Sequence, residues 1–585
     1  MLKTNTCGEL KKSDVRKQVT LCGWVDSRRD HGGIIFIDLR DRYGLTQIVF
    51  EPTHNKETHH ASEKLRREFV IQVKGHVRPR GEGLENPKLA TGEIEILADE
   101  MHIFSESETP PIEIDDRKVA NEELRLKYRY LDLRRPSMQK NLEFRHKVVK
   151  AARDHFNDHG FLEIETPLLI KSTPEGARDY VVPSRVNPGQ FYALPQSPQL
   201  YKQILMIAGM DKYYQVARCL RDEDLRADRQ PEHTQFDLEM SFATQQDIQD
   251  FVESLMHHIY KETLGITLSK FPTIPYKESM EKYGSDKPDI RFDLEIKDVT
   301  EIVRKSDFGV FKSVAETGGK VKCLNPQKDL PRNEIDRYIE FCQSIGSKGM
   351  AWMRVTENGL ESNIAKFFSK EIQKELIDFV GAKPGSMVMF IADKPKKAAN
   401  LAGQLRLKLA DDLKIRADGV FKFVWINDFP LFAFNDDTQA WEPEHHMFSM
   451  PKKEYVHDFE KRPGEVLGDL WDLVLNGVEL GSGSIRVTDP KLQERIMGFV
   501  GIKHEEAHQK FGFLLEAYKY GGPVHGGMGI GVDRTTAMML GTNDIREVIA
   551  FPKNKGAQCP MDESPGIITD VQMKELHIKT DIIKK

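Results

Sequence analysis

Long apolar runs, paired cysteines and an excess of charge of either sign are all missing from this 585-residue chain. No apolar stretch approaches the roughly 20 residues of a membrane-spanning helix, and the start, "MLKTNTCGELKKSDV", has no signal-peptide core. The six cysteines are scattered and include no CxxC pair. That speaks against a disulfide framework and a structural zinc site, and it suits a reducing cytoplasm. Lys and Arg number 85 against 91 Asp and Glu, a net charge of −6. Bulk charge therefore does not recruit nucleic acid, although a local basic groove remains open. With 39% hydrophobic and 30% charged residues, the composition is that of a soluble globular protein with room for three or four domains.

Residues 1–106 carry five strand-like runs, "QVTLCGWVDSRRD", "GIIFIDLRD", "LTQIVFE", "FVIQVKGHVRPR" and "GEIEILADEMHIF". Five strands in so short a length predict a small closed barrel of the oligonucleotide-binding type. Arg28, Arg29, Phe36, Arg40 and Arg42 lie on its early strands, where arginines suit phosphates and an aromatic face suits a base. Charge in this segment is balanced, so composition alone does not demand nucleic acid. Residues 107–135 read as a hinge or linker. An amphipathic helix follows, with Phe144, Val148, Ala152 and Phe156 on one stripe, ending at Gly160. Strand patterns then run to about residue 285, making 136–285 the first part of a second domain. Residues 286–425 alternate helix and strand, "NEIDRYIEFCQSI" being helical by the spacing of Ile335, Tyr338, Ile339 and Cys342, and read as an inserted α/β domain. The second domain resumes over 426–555, and 556–585 form a C-terminal extension. The fold class is α+β and multidomain.

The densest chemistry is "RDEDLRADRQ", Arg221–Gln230, where seven of ten residues are charged. A surface helix would explain it, but the flanks "KYYQVARCL" and "TQFDLEMSF" are strand-like, and the second alternates strictly between polar and apolar. The run is predicted as a loop between two strands, presented over a site. Other candidates are dispersed: "STPEGARDY", "QSPQLYKQ", "AWEPEHHMF", "VELGSGSIR" and "GGMGIGVDRTTAMML". The last is a glycine-rich approach to a helix start, which favours anions, and it is not followed by the Gly-Lys-Ser/Thr of a Walker loop. "HEEAH", His504–His508, formally matches the HExxH zinc signature, with Glu516 or His525 as a conceivable third ligand. It continues into an ordinary amphipathic helix, so zinc hydrolysis is disfavoured.

Taken together, in this order, these segments resemble the class II aminoacyl-tRNA synthetases, subclass IIb, and among them the bacterial-type aspartyl-tRNA synthetases. "GFLEIETPLL" looks like motif 1 with Pro167 at the dimer-interface proline, "RDEDLRADRQPEHTQFD" like motif 2, and "GGMGIGVDR" like motif 3. "TPEGARDY", "ALPQSPQLYKQ" and "YGSDKPDIR" match family stretches outside the motifs. Leu220 replaces the usual Phe before the motif 2 arginine, and Gly529 and Val532 stand where Ala and Leu are common. The resemblance implies an antiparallel-sheet catalytic domain, a homodimer, and ATP as a substrate with Mg2+. It implies catalytic roles for Arg221, Glu479 and Arg534, and an ATP site comprising Arg221, Asp222, Glu223, Gln230, Glu479, Gly531, Val532, Asp533 and Arg534. Asp472 and Glu479 would hold the metal. Aspartate would meet Glu175, Ser197, Gln199, Lys202, Arg221, Asp237, His445 and Arg486, a set with cations for its carboxylates and acids for its ammonium. In the barrel, Arg29, Phe36, Gln47 and Glu93 match anticodon-contacting positions.

The family divides into strict enzymes, which charge tRNA(Asp) only, and relaxed ones, which also charge tRNA(Asn). His31 stands where the strict form tends to carry Leu, and Gly81 where the relaxed form has a small residue. Both imply the relaxed form, the alternative being a strictly discriminating enzyme. The inserted segment resembles a domain shared with subunits of tRNA-dependent amidotransferases, implying a functional link to one. An amide-forming relative that uses no tRNA would usually lack the barrel. A catalytically dead regulator would be expected to lose Arg221, Glu479 or Arg534, and all three are present. Lysyl- and asparaginyl-type relatives share the motifs, but the Arg486 and Lys202 pair favours aspartate.

Overall fold

The computed structural model describes residues 1–173 and 176–581. The chain divides into two compact units, Met1–Phe144 with Arg546–Ile567, and Arg145–Ile545 with the residues from Ile568 onward.

In the first unit, five strands close a barrel: β1 (Gln18–His31), β2 (Ile34–Asp41), β3 (Gly44–Phe50), β4 (Val70–Pro79) and β5 (Ile94–Ser105), in the order β1-β2-β3-β5-β4. All neighbours are antiparallel except β3 and β5. Period-two alternation builds it: Ile35, Ile37 and Leu39 point inward with Val19, Leu21, Ile48, Ile71 and Ile96, while Phe36 and Asp38 face out. Gly32 and Gly33, at φ +60° and +81°, make the two-residue hairpin between β1 and β2, whose twist asks for positive φ at both positions.

Residues 107–135, expected as a linker, are packed instead. They contain helices Glu122–Lys127 and Arg129–Asp132 and bury Ile112, Ile114 and Leu131. Arg129, 3% exposed, donates to the carbonyls of Arg546, Ile549 and Ala550 at 2.8–2.9 Å, which ties 546–567 into this unit. A C-terminal extension beginning at 556 is therefore not what forms. These attachments are buried polar contacts between distant segments, which leave no periodicity in the sequence.

The second unit is built on an eight-stranded sheet. Its strands are β6 (Leu162–Glu163), β7 (Lys212–Leu220), β8 (Glu232–Ser241), β9 (Thr273–Pro275), β10 (Phe423–Asn427), β11 (Leu470–Leu475), β12 (Val478–Ile485) and β13 (His525–Gly531). The order is β9-β10-β11-β12-β13-β8-β7-β6, antiparallel except at β9/β10 and β6/β7. Helices α1 (Gln199–Ile207), α2 (Gln245–Leu264), α3 (Pro490–Phe499), α4 (His504–Tyr518) and α5 (Val532–Met539) accompany it. α2 shows why the local sequence folds so. Thr244 and Asp247 form a capping box at its start, Gly265 ends it at φ +69°, and Ile248, Val252, Leu255 and Ile259 are its buried stripe. The helix Pro136–Asp158 buries Val148, Ala152 and Phe156 as its periodicity predicts, with Phe156 stacked on Tyr214 at 4.3 Å.

Between β9 and β10 the chain forms a separate five-stranded antiparallel sheet over residues 297–393. The strand Ser386–Asp393 sends Met387, Met389 and Ile391 into one core, with the helices Arg332–Ser344 and Pro395–Asp412. Val388 and Phe390 enter another, with Lys370–Val380. β10 starts at Phe423 and pairs with β11, so the expected boundary at 425/426 falls inside a strand of the larger sheet. Among the described residues, no helix is long and apolar enough to cross a membrane.

Candidate active site

β8 sets the site. Its alternation puts Phe236 and Leu238 in the core and Gln235, Asp237 and Glu239 on the opposite face. The charged run Arg221–Gln230 is a loop between β7 and β8, as the flanking patterns predict. β13, the glycine-rich approach to the helix start of α5, is a central strand paired with β8 and β12. Its glycines answer to neighbouring side chains. A Cβ at Gly527 would lie 2.0 Å from Glu239 Oε2 and 2.1 Å from the Leu238 carbonyl, and one at Gly529 3.1 Å from Gln235 Oε1. The missing Cβ atoms are what let polar side chains lie flat against this sheet.

A cavity of about 400 Å³ opens on that face. It brings together Ser197, Gln199, Lys202, Arg221, Glu223, Gln230, Asp237, His445, Glu479, Arg486, Gly531, Asp533 and Arg534 from the sequence-derived set. Asp222 is outside it: its N–H donates to the Arg178 carbonyl at 3.1 Å and its carboxylate lies 3.9 Å from Arg178 Nε. Val532 is fully buried, an apolar side chain that packs into the core. Asp533 lines the cavity, but its Oδ1 accepts from Arg145 at 2.5 Å and its Oδ2 from the Thr234 N–H at 2.8 Å, so its carboxylate anchors the motif. Glu175 lies outside the described residues. Asp472 sits just behind the cavity, 4% exposed, with Oδ1 3.8 Å from His445 Nδ1.

The floor is a buried cluster of four charges. Lys202 Nζ contacts Asp237 at 2.8 Å and Glu239 at 3.2 Å, and Arg486 grips Glu239 through two donors at 2.8 and 3.0 Å. All four side chains are at most 3% exposed. Burial would raise the Glu239 carboxyl, but Arg486 and Lys202 hold it down to about 2. Burial raises Asp237 despite Lys202, and its Oδ2 has no hydrogen-bond partner. Arg486 Nη1 also donates to Ser484 Oγ at 2.6 Å and meets His446 Nε2 at 3.1 Å. Burial, then Arg486, pushes His446 well below the usual imidazole range, so it accepts from the guanidinium. Glu239 was not among the sequence-derived residues, although it follows Asp237 by two and shares its face, and His446, within the candidate stretch AWEPEHHMF, was given no role. His233, held down to about 3 by burial and then by Arg221, also lines the cavity.

At the other end, Arg534 Nη1 donates to the Glu479 carbonyl at 2.5 Å, and Glu223 accepts from Arg229 at 2.9 Å. Arg221 Nε is buried without a hydrogen-bond partner. Burial, then Glu479, pushes Asp472 well above the usual carboxylate range, and its Oδ1 has no hydrogen-bond partner. Asp472, with its orphaned oxygen, and its neighbour Glu479 form a donor set that fits a hard divalent cation.

On the barrel, Arg29 stands opposite Phe36 and reaches Gln47 Oε1 at 3.2 Å. Glu93 does not join them; it is exposed and faces Lys12 at 4.0 Å. Glu95 takes that place, accepting from Gln47 at 2.7 Å and from Arg78 at 2.7 Å. Glu95 lies in β5, whereas Glu93 falls just before its first residue, Ile94. His31 packs edge-on to Phe36 at 6.3 Å, and Gly81 lies beside Leu84.

An OB-type barrel joined to a large, mainly antiparallel sheet whose cavity is lined by arginines and a buried Lys–Arg pair is the architecture of an aminoacyl-tRNA ligase. The chain belongs to the class II tRNA synthetases: the family model described as class II (D, K and N) matches residues 121–555, and that of the OB-fold nucleic acid binding domain matches 19–104. It is 48% identical over 581 residues to the aspartate–tRNA(Asp/Asn) ligase of Halothermothrix orenii, covering 99% of this chain and 98% of that protein. Its likeness to the aspartate–tRNA(Asp/Asn) ligase of Thermodesulfovibrio yellowstonii is also 48%, over the full length of both. The crystal structure of asparaginyl-tRNA synthetase from Pyrococcus horikoshii with asparaginyl-adenylate shares the fold, with TM-score 0.58 and 20% identity over 94% of this chain and 98% of that one.

Proposed function

We propose that this protein is an aspartate–tRNA ligase with relaxed tRNA choice. It joins the L-aspartate α-carboxylate to the α-phosphate of ATP, releasing pyrophosphate, and then passes the aspartyl group to the 3′ end of tRNA(Asp) and tRNA(Asn). The observation that carries this reading is a buried charge cluster in which Lys202, Asp237 and Arg486, which line one cavity with Arg221 and Arg534, close on Glu239 behind them.

In this reading, Arg486 and Lys202 take the side-chain carboxylate of aspartate. Asp237, with its orphaned Oδ2, takes the ammonium together with Glu175, Ser197 and Gln199, and His445 closes the side. Arg221 bridges the α-phosphate and the amino-acid carboxylate, for which a planar fork suits better than lysine. Arg534 holds the γ-phosphate, and Glu223, Gln230 and Gly531 line the ATP site. The work is positioning and electrostatic stabilisation rather than proton transfer. Asp472 and Glu479 would hold magnesium, which would neutralise phosphate charge there.

In the barrel, Arg29, Phe36 and Gln47 face the anticodon, and two slim loops, one at His31 and one at Gly81, accept either third base. Aspartyl-tRNA(Asn) must then be amidated, which ties the protein to a tRNA-dependent amidotransferase. Exposed Leu162, Leu168, Leu169, Phe242 and Val524, all in the second unit, support a homodimer through that unit; monomeric, fully active protein in sedimentation would refute that part. Six free cysteines suit the cytoplasm. The deciding assay is aminoacylation of purified tRNA(Asp) and tRNA(Asn) in parallel with labelled aspartate. Charging of both is expected. Charging of tRNA(Asp) alone would overturn the relaxed form, and charging of neither would overturn the ligase.

A further inference from the structure

The HEEAH segment belongs to neither the cavity nor the barrel. His504 and His508 are four apart on α4, so one helical face carries both imidazoles. Neither expected third ligand joins them. Glu516 accepts from Lys519 at 2.7 Å, and His525 is fully buried, with Nε2 3.2 Å from the Tyr518 hydroxyl. Glu494 on α3 joins them instead, its Oε1 3.1 Å from His508 Nε2. One ligand atom from each of Glu494, His504 and His508 lies within 4.8 Å of the other two.

We propose that Glu494, His504 and His508 form a surface site for a divalent first-row transition metal, with zinc as its reference ion. A tetrahedral zinc with ligands at about 2.0–2.1 Å holds donor atoms roughly 3.3 Å apart; one pair already meets that spacing. Closing the remaining gap takes only side-chain rotation, because the backbones are fixed independently. The Asp489 side chain caps α3 at the Lys491 N–H, with Pro490 in its first turn. Met497 from α3 and Ala507, Phe511 and Leu514 from α4 share one buried core. Two imidazoles and one carboxylate select zinc, nickel, cobalt or copper over magnesium and calcium, which prefer all-oxygen sets. The two histidines are exposed and Glu494 is half-buried, so the ion enters from solvent and keeps a water as its fourth ligand. Its effect is a clip between α3 and α4. The far end of α4 carries Tyr518, which donates to Gln203 at 2.8 Å. No reaction is assigned to the site.

The test uses the untagged full-length protein with excess Mg2+ and a thiol-protecting phosphine, so that neither the Asp472 and Glu479 pair nor a cysteine competes. Zinc titrated by calorimetry against a chelator is expected to give one equivalent of micromolar or tighter affinity. His504→Gln and His508→Gln should each weaken it about tenfold or more, and Glu494→Gln should weaken it less. Cobalt bound to the wild type should show the intense visible bands of a four-coordinate ion, lost in the double His variant. All variants should keep aspartate-dependent pyrophosphate exchange, which reports that they fold. Zinc binding that survives in the folded double variant, or none in the wild type, would overturn the proposal.

Discussion

Arg486→Leu removes one charge from a cluster of four. In the folded protein its guanidinium makes two contacts to Glu239, one to Ser484 and one to His446, at 3% exposure. Leucine leaves Glu239 facing Lys202 alone, at 3.2 Å, and Lys202 is already shared with Asp237. Breaking a buried pair by removing one partner costs about 3–5 kcal/mol. The site must then also accept a substrate carboxylate with one cation fewer, so the same range applies to the transition state. At about 1.36 kcal/mol per decade, kcat/KM for aspartate should fall by roughly 10²–10⁴. Preference over asparagine, expected at about a thousandfold or ~4 kcal/mol in the wild type, should collapse in parallel, because the neutral amide loses less. The assay is aspartate- and asparagine-dependent pyrophosphate exchange, with calorimetric Tm and ATP binding as checks on folding. Arg486→Lys should recover only part, since a point charge cannot reproduce the fork. A folded Arg486→Leu protein within tenfold of wild-type kcat/KM would refute the assignment.

Gly527→Ala should overpack the sheet under Glu239, costing about 1–3 kcal/mol of stability and raising the KM for aspartate. Normal Tm and KM would mean that β13 shifts freely. His31→Leu should lower tRNA(Asn) charging by about tenfold, near 1.4 kcal/mol, while tRNA(Asp) charging stays close to wild type; equal effects on both tRNAs would remove His31 from discrimination. Asp472→Asn should raise the Mg2+ needed for half-maximal exchange without lowering the Tm, because an amide relieves the repulsion between buried Asp472 and Glu479; an unchanged Mg2+ requirement would exclude Asp472 from the metal site. His155, pushed down to about 4 by burial and then by His159, stays neutral in the fold while the unfolded chain protonates near 6.5. Its stability contribution is therefore present above pH 6.5 and is lost as pH falls toward 4. Comparing Tm at pH 7.5 and 5 should show a smaller drop for His155→Gln than for the wild type, and identical drops would refute the reasoning.

The sequence by itself determined the elements whose signal is local and periodic. Ile35, Ile37 and Leu39 alternate with outward residues in a barrel strand. Ile335, Tyr338 and Cys342 recur at helical spacing, and Asp237 sits on the polar face of a strand behind a charged loop. Period and side-chain polarity are written into neighbouring residues, so they can be read without a fold. The motif order added the cavity arginines Arg221 and Arg534. Tertiary structure alone decided the rest. Glu95 rather than Glu93 meets Gln47 because β5 begins at Ile94 and only Glu95 is carried on it. Glu239 and His446 join Arg486 because three segments more than 200 residues apart at their extremes converge on one floor. Asp533 turns to Arg145 and the Thr234 amide, and residues 546–567 fold back under Arg129. In each case the deciding quantity is the cost of burying a charge or a backbone carbonyl without a partner. That partner is supplied by packing, from a distance along the chain at which the sequence carries no pattern.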